Sequence, residues 1–331
     1  MLKKTVENFF GKKLLVIGDM VADIYLDGRI GRISREAPVL VLEQAGEKIV
    51  PGGAANVVNN IASLGGTVYA AGIIGNDHGG EGVRRILKKN GAHASGLVVD
   101  RDRPTITKTR IIAGGRATVS QQIVRVDNES KEELSKETED KLILYIKEIL
   151  PKVDGVILSD YGSKTVSEKA RNLAIKYANE HNLFSIVDSR YNVRSFKNIG
   201  YVKQNDSELA AAMERTFTNV DTLKNAAVEL LVELDAKGVL VTRGEDGMTL
   251  AESTGRVVDI PVTDKSEVFD VSGAGDTSVA AFMLALCAGA YPEDAVRIAN
   301  YAAGVAVRKY GTATVSAAEL LKAIGPEQVT I

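Results

Sequence analysis

The sequence predicts an α/β fold with a mostly parallel sheet and helices on both of its faces. Two observations predict it. Short, near-continuous runs of β-branched and aliphatic residues recur along the chain, and amphipathic helical patterns separate them. A third observation marks an exception. Residues 21–50 and about 104–127 alternate apolar and polar side chains with no helical pattern between them. They predict a small antiparallel sheet, inserted as two lid segments into one domain spanning residues 1–331.

The first strand is expected at Lys13-Leu-Leu-Val-Ile17, before the first lid segment. Val57, Ile61 and Leu64 then form a helical stripe that Gly65-Gly66 ends, and a strand follows over Thr67–Ile74. The second lid segment contains Thr105-Ile-Thr-Lys-Thr-Arg-Ile-Ile112 and Gln122-Ile-Val-Arg-Val126, with extra hairpin length over Gly114–Ser120. A sheet with one open face needs a cover, which a substrate or a second subunit would supply. The charged run Asn128–Asp140 reads as a solvated loop entering a helix. Strands are expected at Gly155–Leu158, Phe184–Val187 and Gly238–Thr242. Val166, Ala170, Leu173, Ala174 and Tyr177 form a further helical stripe, with Thr165-Val-Ser-Glu168 as its capping box.

The chain has 331 residues, 45% of them hydrophobic, and a formal charge of -2. Near-neutral charge argues against a binder of duplex nucleic acid or membrane surfaces, which need a basic excess. Thirty-one glycines and seven prolines suit an enzyme with many tight strand-to-helix turns. The single cysteine, Cys287, lies in an apolar run and reads as core. No apolar stretch reaches the ~20 residues of a membrane span, and the first residues lack an apolar signal core. A cytoplasmic protein is expected.

The most informative stretch is Glu267-Val-Phe-Asp270-Val-Ser-Gly273-Ala-Gly275-Asp276-Thr277, followed directly by a helical pattern. Small residues before a helix let backbone N–H groups approach an anion, and the helix dipole adds favourable potential. A carboxylate placed there would repel phosphate unless it had another task. Taking a proton from an incoming hydroxyl is such a task, so Asp276 reads as a general base. The plainer alternative is that Asp276 only caps the helix. There is no Gly-x-x-x-x-Gly-Lys-Ser/Thr, and the first strand leads into Gly18-Asp19-Met-Val-Ala-Asp23 rather than Gly-x-Gly-x-x-Gly. P-loop and nicotinamide-binding sites therefore lack support.

Pro51-Gly-Gly-Ala-Ala-Asn56-Val-Val-Asn-Asn-Ile-Ala-Ser-Leu-Gly65 resembles the N-terminal signature of the ribokinase (PfkB) family of carbohydrate kinases, and Asp270–Thr277 resembles its C-terminal signature. The resemblance covers essentially the whole chain. It implies a ribokinase-like fold and phosphoryl transfer from ATP to a sugar. It also implies Asp276 as base, with the Gly273, Ala274 and Gly275 amides as the anion hole. Asp19, Gly52, Gly53 and Asn56 match positions that hold sugar hydroxyls. Asn205-Asp-Ser-Glu208 matches a motif that orders Mg²⁺ and phosphate, Glu208 acting largely through water. Taken alone, that pattern is also any helix start. Thr242, Gly244 and Gly247 resemble the loop over the nucleotide phosphates, and Asn300, Ala303 and Gly304 resemble adenine-pocket positions, with ordinary helix packing as the alternative. Many family members use a monovalent cation near Asp270 and the segment after the last helix, a place that Gly311–Ser316 occupies here, so the resemblance implies a potassium requirement. By the same analogy, a homodimer joined through the lid is expected.

Within the family, the chain is most similar to the D-glycero-β-D-manno-heptose 7-phosphate kinases. The marks are Arg32-Ile-Ser-Arg-Glu-Ala-Pro-Val39, Arg103–Arg110, Gln121–Asp127, Leu158-Ser-Asp-Tyr161 and Gly311–Ser316. Arg32, Arg35, Lys108 and Arg110 offer cations of the kind a sugar phosphate needs, with Lys108 favoured for contact. Asp160, after a strand, is a further sugar-contact candidate at the carboxyl end of the sheet. The chain departs from that branch at Asp188-Ser-Arg190 and Lys203-Gln-Asn205. Other readings are a kinase for fructose phosphate, ribose or a sugar acid, a non-catalytic sugar- or nucleotide-binding regulator, and a Rossmann oxidoreductase.

Overall fold

A computed structural model of the chain describes residues 1–114, 120–263 and 268–325. Most of the extra hairpin length expected at Gly114–Ser120, and Glu267, lie outside the described residues.

The main sheet has nine strands. From one edge they run β13 (Val257–Ile260), β12 (Met248–Glu252), β11 (Gly238–Thr242), β10 (Tyr201–Asn205), β9 (Phe184–Ser189), β8 (Gly155–Asp160), β1 (Lys13–Gly18), β4 (Thr67–Gly75) and β5 (His93–Asp100). The seven strands from β11 to β5 are parallel, and β12 and β13 add antiparallel at one edge.

Alternate residues of the strands feed two cores, as the pleat requires. Leu14, Val16, Ile157 and Leu240 face α1 (Leu2–Glu7), α2 (Ala54–Ser63), α3 (His78–Lys89), α8 (Ala274–Cys287), α9 (Pro292–Ala306) and α10 (Ala317–Ile324). Leu15, Ile17, Val156 and Val239 face α4 (Lys136–Ile149), α5 (Glu168–Glu180), α6 (Asp206–Ala212) and α7 (Val220–Leu234). The helix α8 is apolar on all sides and buried from Asp276 to Leu286, as an interior helix must be. Phe282, fully buried, packs edge-on against Tyr201 with ring centroids 5.2 Å apart. Phe282→Ala is expected to cost roughly 3–5 kcal/mol in urea unfolding. A loss under about 1 kcal/mol would mean the site collapses around the gap.

The lid is a four-stranded sheet in the order β3 (Leu40–Gly53), β2 (Met20–Ile33), β6 (Ile106–Gly114) and β7 (Gln121–Asn128). Its outer pairings are antiparallel, while the central pair of β2 and β6 is parallel because β4, α3 and β5 intervene. Each long strand has a buried root and an exposed tip; Met20 to Ala22 belong to the core and Arg29 to Ile33 face solvent. Among the described residues no helix is long and apolar enough to cross a membrane.

One local expectation is corrected. The N-cap of α5 is Ser167, which accepts from Ala170 N, not Thr165. Thr165 is buried and its amide donates to Asp19 instead.

Candidate active site

The carboxyl ends of β8, β9 and β10 meet the N-terminus of α8. Gly273 is the N-cap of α8, with φ +81, a conformation only glycine takes cheaply. Asp276 therefore stands inside the first turn, and its side chain does not cap the helix. It is 5% exposed. Its Oδ2 accepts from Asn56 Nδ2 at 2.8 Å and its Oδ1 from the Tyr161 hydroxyl at 3.0 Å.

The Asn56 amide is held in one orientation. Asn60 Nδ2 donates to Asn56 Oδ1 at 3.2 Å and to Asn56 O at 3.0 Å, so the Asn56 NH₂ must face Asp276. Asn60 in turn accepts from the Thr277 hydroxyl and Val315 N. A buried polar chain thus joins α2 to α8, and the two sequence motifs meet. Burial, the largest cause, raises the Asp276 carboxyl to about 6; Asp188 adds to the rise, while the Asn56 and Tyr161 hydrogen bonds and Lys203 oppose it. A carboxylate poised near the working pH suits a proton acceptor.

The loop amides are not equivalent. The Ala274 amide turns back to Val271 O at 3.3 Å, whereas Gly275 lies in the first turn, where amides lack intrahelical partners. Beneath Gly275 sits Lys203 Nζ, 2.9 Å from where a Cβ would stand. Lys203 is buried; it bonds Asp188 Oδ2 at 3.0 Å and Oδ1 at 3.3 Å, and lies 4.0 Å from Glu208 Oε2.

Gly52 and Gly53 close the other side, at the junction of the lid with α2. A methyl on Gly52 would collide with Asp23 Oδ2. Asp23, buried on β2, pairs with Arg110 Nη1 at 2.6 Å and lies in register with Lys108. Asp19, expected among the sugar contacts, is fully buried. Its Oδ2 accepts from Tyr161 N at 2.7 Å and Ser163 N at 3.1 Å, and its Oδ1 from Thr165 N at 3.3 Å. Those bonds make it the anchor of the 161–165 loop. Asp160 is similarly engaged, by Gly162 N and the Ser189 hydroxyl. Lys108 Nζ stands 5.3 Å from the Tyr161 ring centroid, and among the described residues it has no ion-pair partner. Arg32 and Arg35 lie exposed toward the lid tip.

Asn205 and Glu208 form a reciprocal capping box on α6: Asn205 Oδ1 accepts from Glu208 N at 2.7 Å, and Glu208 Oε2 from Asn205 N at 2.9 Å. Burial, with Asp188, raises the Glu208 carboxyl, against the pull of Lys203. Thr242 lies in register with Asn205, and Gly244 and Gly247 take positive φ in the turn beyond it. Asn300 Nδ2 donates to Pro261 O at 2.7 Å, which ties α9 to the segment after β13; Gly304 lies beside Thr263 and Ala303 is partly buried. Asp270 accepts from Ser272 N at 2.8 Å and Gly311 N at 3.0 Å. Burial opposes ionisation there, but these hydrogen bonds and Arg110 bring its carboxyl below the ordinary value. Among the described residues no cluster of three or more His, Cys, Asp or Glu could cage a metal.

A family model described as pfkB family carbohydrate kinase matches residues 11–319. The chain belongs to the pfkB family of carbohydrate kinases. This kinase is 38% identical over 330 residues to the bifunctional protein HldE of Citrifermentans bemidjiense, an alignment covering 98% of the chain and 66% of that protein. It is 39% identical over 310 residues to HldE of Helicobacter pylori, covering 93% of the chain and 66% of the relative. The chain thus spans 66% of the length of these relatives. Among solved structures, Arabidopsis thaliana ribokinase with ribose and ATP superposes with a TM-score of 0.74 at 20% identity, covering 96% of this chain and 99% of that one. Escherichia coli phosphofructokinase-2 with substrates and products gives 0.75 at 24% identity, covering 94% and 97%. Both likenesses concern the fold of the kinase.

Sequence reasoning missed Asp23, Asn60 and Tyr161 as site-lining groups, and treated Lys203 and Asp188 only as departures from a pattern. Asp23 has a signal in the sequence, because Gly18-Asp19-Met-Val-Ala-Asp23 offers two carboxylates, of which the resemblance picks out only Asp19.

Proposed function

We propose that the kinase transfers the γ-phosphoryl group of ATP to the anomeric hydroxyl of D-glycero-β-D-manno-heptose 7-phosphate, giving the 1,7-bisphosphate and ADP. The Asn56–Asp276 hydrogen bond carries this reading, because it places a buried carboxylate between the glycine turn of the lid and the first turn of α8. The acceptor would lie against Gly52 and Gly53, with Asp23 and Asn56 beside its hydroxyls, Asp19 and Asp160 shaping the loop, and Lys108 facing its phosphate. Asp276 takes the hydroxyl proton as that oxygen attacks the γ-phosphorus and ADP leaves. The Gly273–Gly275 turn and Lys203 offset the charge that develops.

ATP would lie toward Thr242, Gly244 and Gly247, with its base near Asn300, Ala303 and Gly304. Mg²⁺ bound to ATP supplies charge neutralisation across the phosphates. With Oε2 of Glu208 engaged by Asn205 N, that residue would meet the ion through water. Asp270 and the Gly311 turn are the proposed potassium neighbourhood. A second copy covering the lid is also proposed, because Ile123, Val124 and Val126 on β7 are all exposed. A monomer by sedimentation would remove that dimer.

ADP release over hexoses, heptoses and their phosphates, with and without potassium, tests the substrate. The heptose 7-phosphate should give the highest kcat/KM. Lys108→Met should raise its KM by ~10-fold or more, the scale of a lost hydrogen bond to a charged group, and leave the KM for ATP unchanged. Faster turnover of an unphosphorylated sugar would transfer the assignment to another member of the class.

A further inference from the structure

Tyr161 stands where the lid, the glycine turn and the base come together. Its hydroxyl donates to Asp276 Oδ1 at 3.0 Å. Its ring edge lies along Gly53, where a Cβ would be 3.4 Å from Cε2. Lys108, from lid strand β6, approaches the ring at 5.3 Å from the centroid. The backbone beneath is fixed by the three amide bonds to Asp19, a residue with no solvent exposure. The phenol is therefore delivered by a rigid loop.

The terminal torsion of an Asp is broad and roughly two-fold, so one hydrogen bond does not fix the plane of its carboxylate. Asn56 holds Oδ2 only. A second donor on Oδ1 fixes the plane, and a carboxylate oxygen can accept two bonds, so Oδ1 keeps a lone pair for an incoming hydroxyl. Burial and the nearby Asp276 and Asp188 charges hold the phenol well above its ordinary range, so it stays a donor.

We propose that Tyr161 is a positioning residue for phosphoryl transfer: its hydroxyl fixes the plane of the Asp276 carboxylate so that Oδ1 faces the acceptor. This rests on the kinase reading with Asp276 as base. The groups facing Asp276 are Asn56 from α2, Tyr161 from the loop after β8, Asp188 from β9 and Lys203 from β10. Of these, only Tyr161 can lose a hydrogen-bond donor by the removal of one oxygen.

The test is the pH profile of kcat/KM for ADP release with ATP and D-glycero-β-D-manno-heptose 7-phosphate. In Tyr161→Phe the acid limb should move up by about one pH unit, a roughly tenfold fall on the limb itself and about twofold at neutral pH for a base near 6. The KM for ATP should stay put. Site-specific 3-fluorotyrosine at 161, a more acidic donor, should move the limb down and serves if the Phe variant does not fold. Wild-type limbs in both Tyr161 variants would overturn the proposal. A wild-type protein that releases no ADP with any sugar would instead overturn the reading beneath it.

Discussion

Replacing Asp276 with Asn is expected to lower ADP release by ~10²-fold or more, the usual scale for loss of a general base, in a protein that folds and melts at or above the wild-type temperature. The fold survives because the Asn carbonyl can accept from Asn56 Nδ2 while its NH₂ donates to the Tyr161 oxygen. The stability claim follows from linkage. The Asp276 carboxyl ionises near 3.8 in the unfolded chain and near about 6 in the folded one. Between those values the unfolded chain releases a proton that the folded chain keeps, so stability falls as pH rises through the window. Above it the whole cost is present, on the order of 2–3 kcal/mol. Asn carries none of it. The wild-type acid limb of turnover should lie near 6, where the base becomes ionised. Calorimetry and initial rates decide the matter: near-normal turnover would remove Asp276 from the role, and a large drop in melting temperature would show that the carboxylate holds the fold.

Replacing Lys203 with Met should destabilise the protein by ~3–5 kcal/mol, the cost of leaving a buried carboxylate unpaired. Asp188 and Lys203 are both nearly excluded from water, and the ammonium bonds both Asp188 oxygens. Desolvation lowers the Lys203 pKa, but Asp188 and Glu208 outweigh it and hold the group above its ordinary 10.5. A raised value in a lysine means that its contribution is fully present below about 10.5 and is lost as pH rises through the folded value. The gap between wild type and variant in urea unfolding should therefore narrow in strongly alkaline solution. The double variant Lys203→Met with Asp188→Leu should regain much of the stability, since the Asp188 charge is no longer left alone, and should not regain turnover. A single-variant loss below 1 kcal/mol would show that the pair is weakly coupled.

The same lysine explains much of what the sequence concealed. Strand β10 is central and buried, yet Tyr201-Val-Lys-Gln-Asn205 reads as polar because Lys203 and Gln204 enter the interior with partners of their own. Strands β1, β4, β8, β9 and β11 were legible because their neighbours on both faces are aliphatic. The lid was legible from its alternation, but the direction of the β2–β6 pairing depends on the crossover between them, which local patterning does not encode. In the site, Asp276, Asn56 and the glycines could be read from two motifs. The tie of Asp19 to the 161–165 loop and the place of Tyr161 could not be read, because each is defined by the other's loop, across 142 positions of chain. The Ser167 cap was hidden by Thr165, an equally good candidate until tertiary contact engaged its amide.

The Asn56–Asp276 hydrogen bond spans 220 positions. Contacts of such separation form late, because a long loop must close before they stabilise anything. Asn56, which holds Asp276, is synthesised early and waits for most of the chain to appear. A growing chain therefore lacks the Asn56–Asp276 pair, and under the proposed role of Asp276 catalytic activity should be among the last properties regained on refolding.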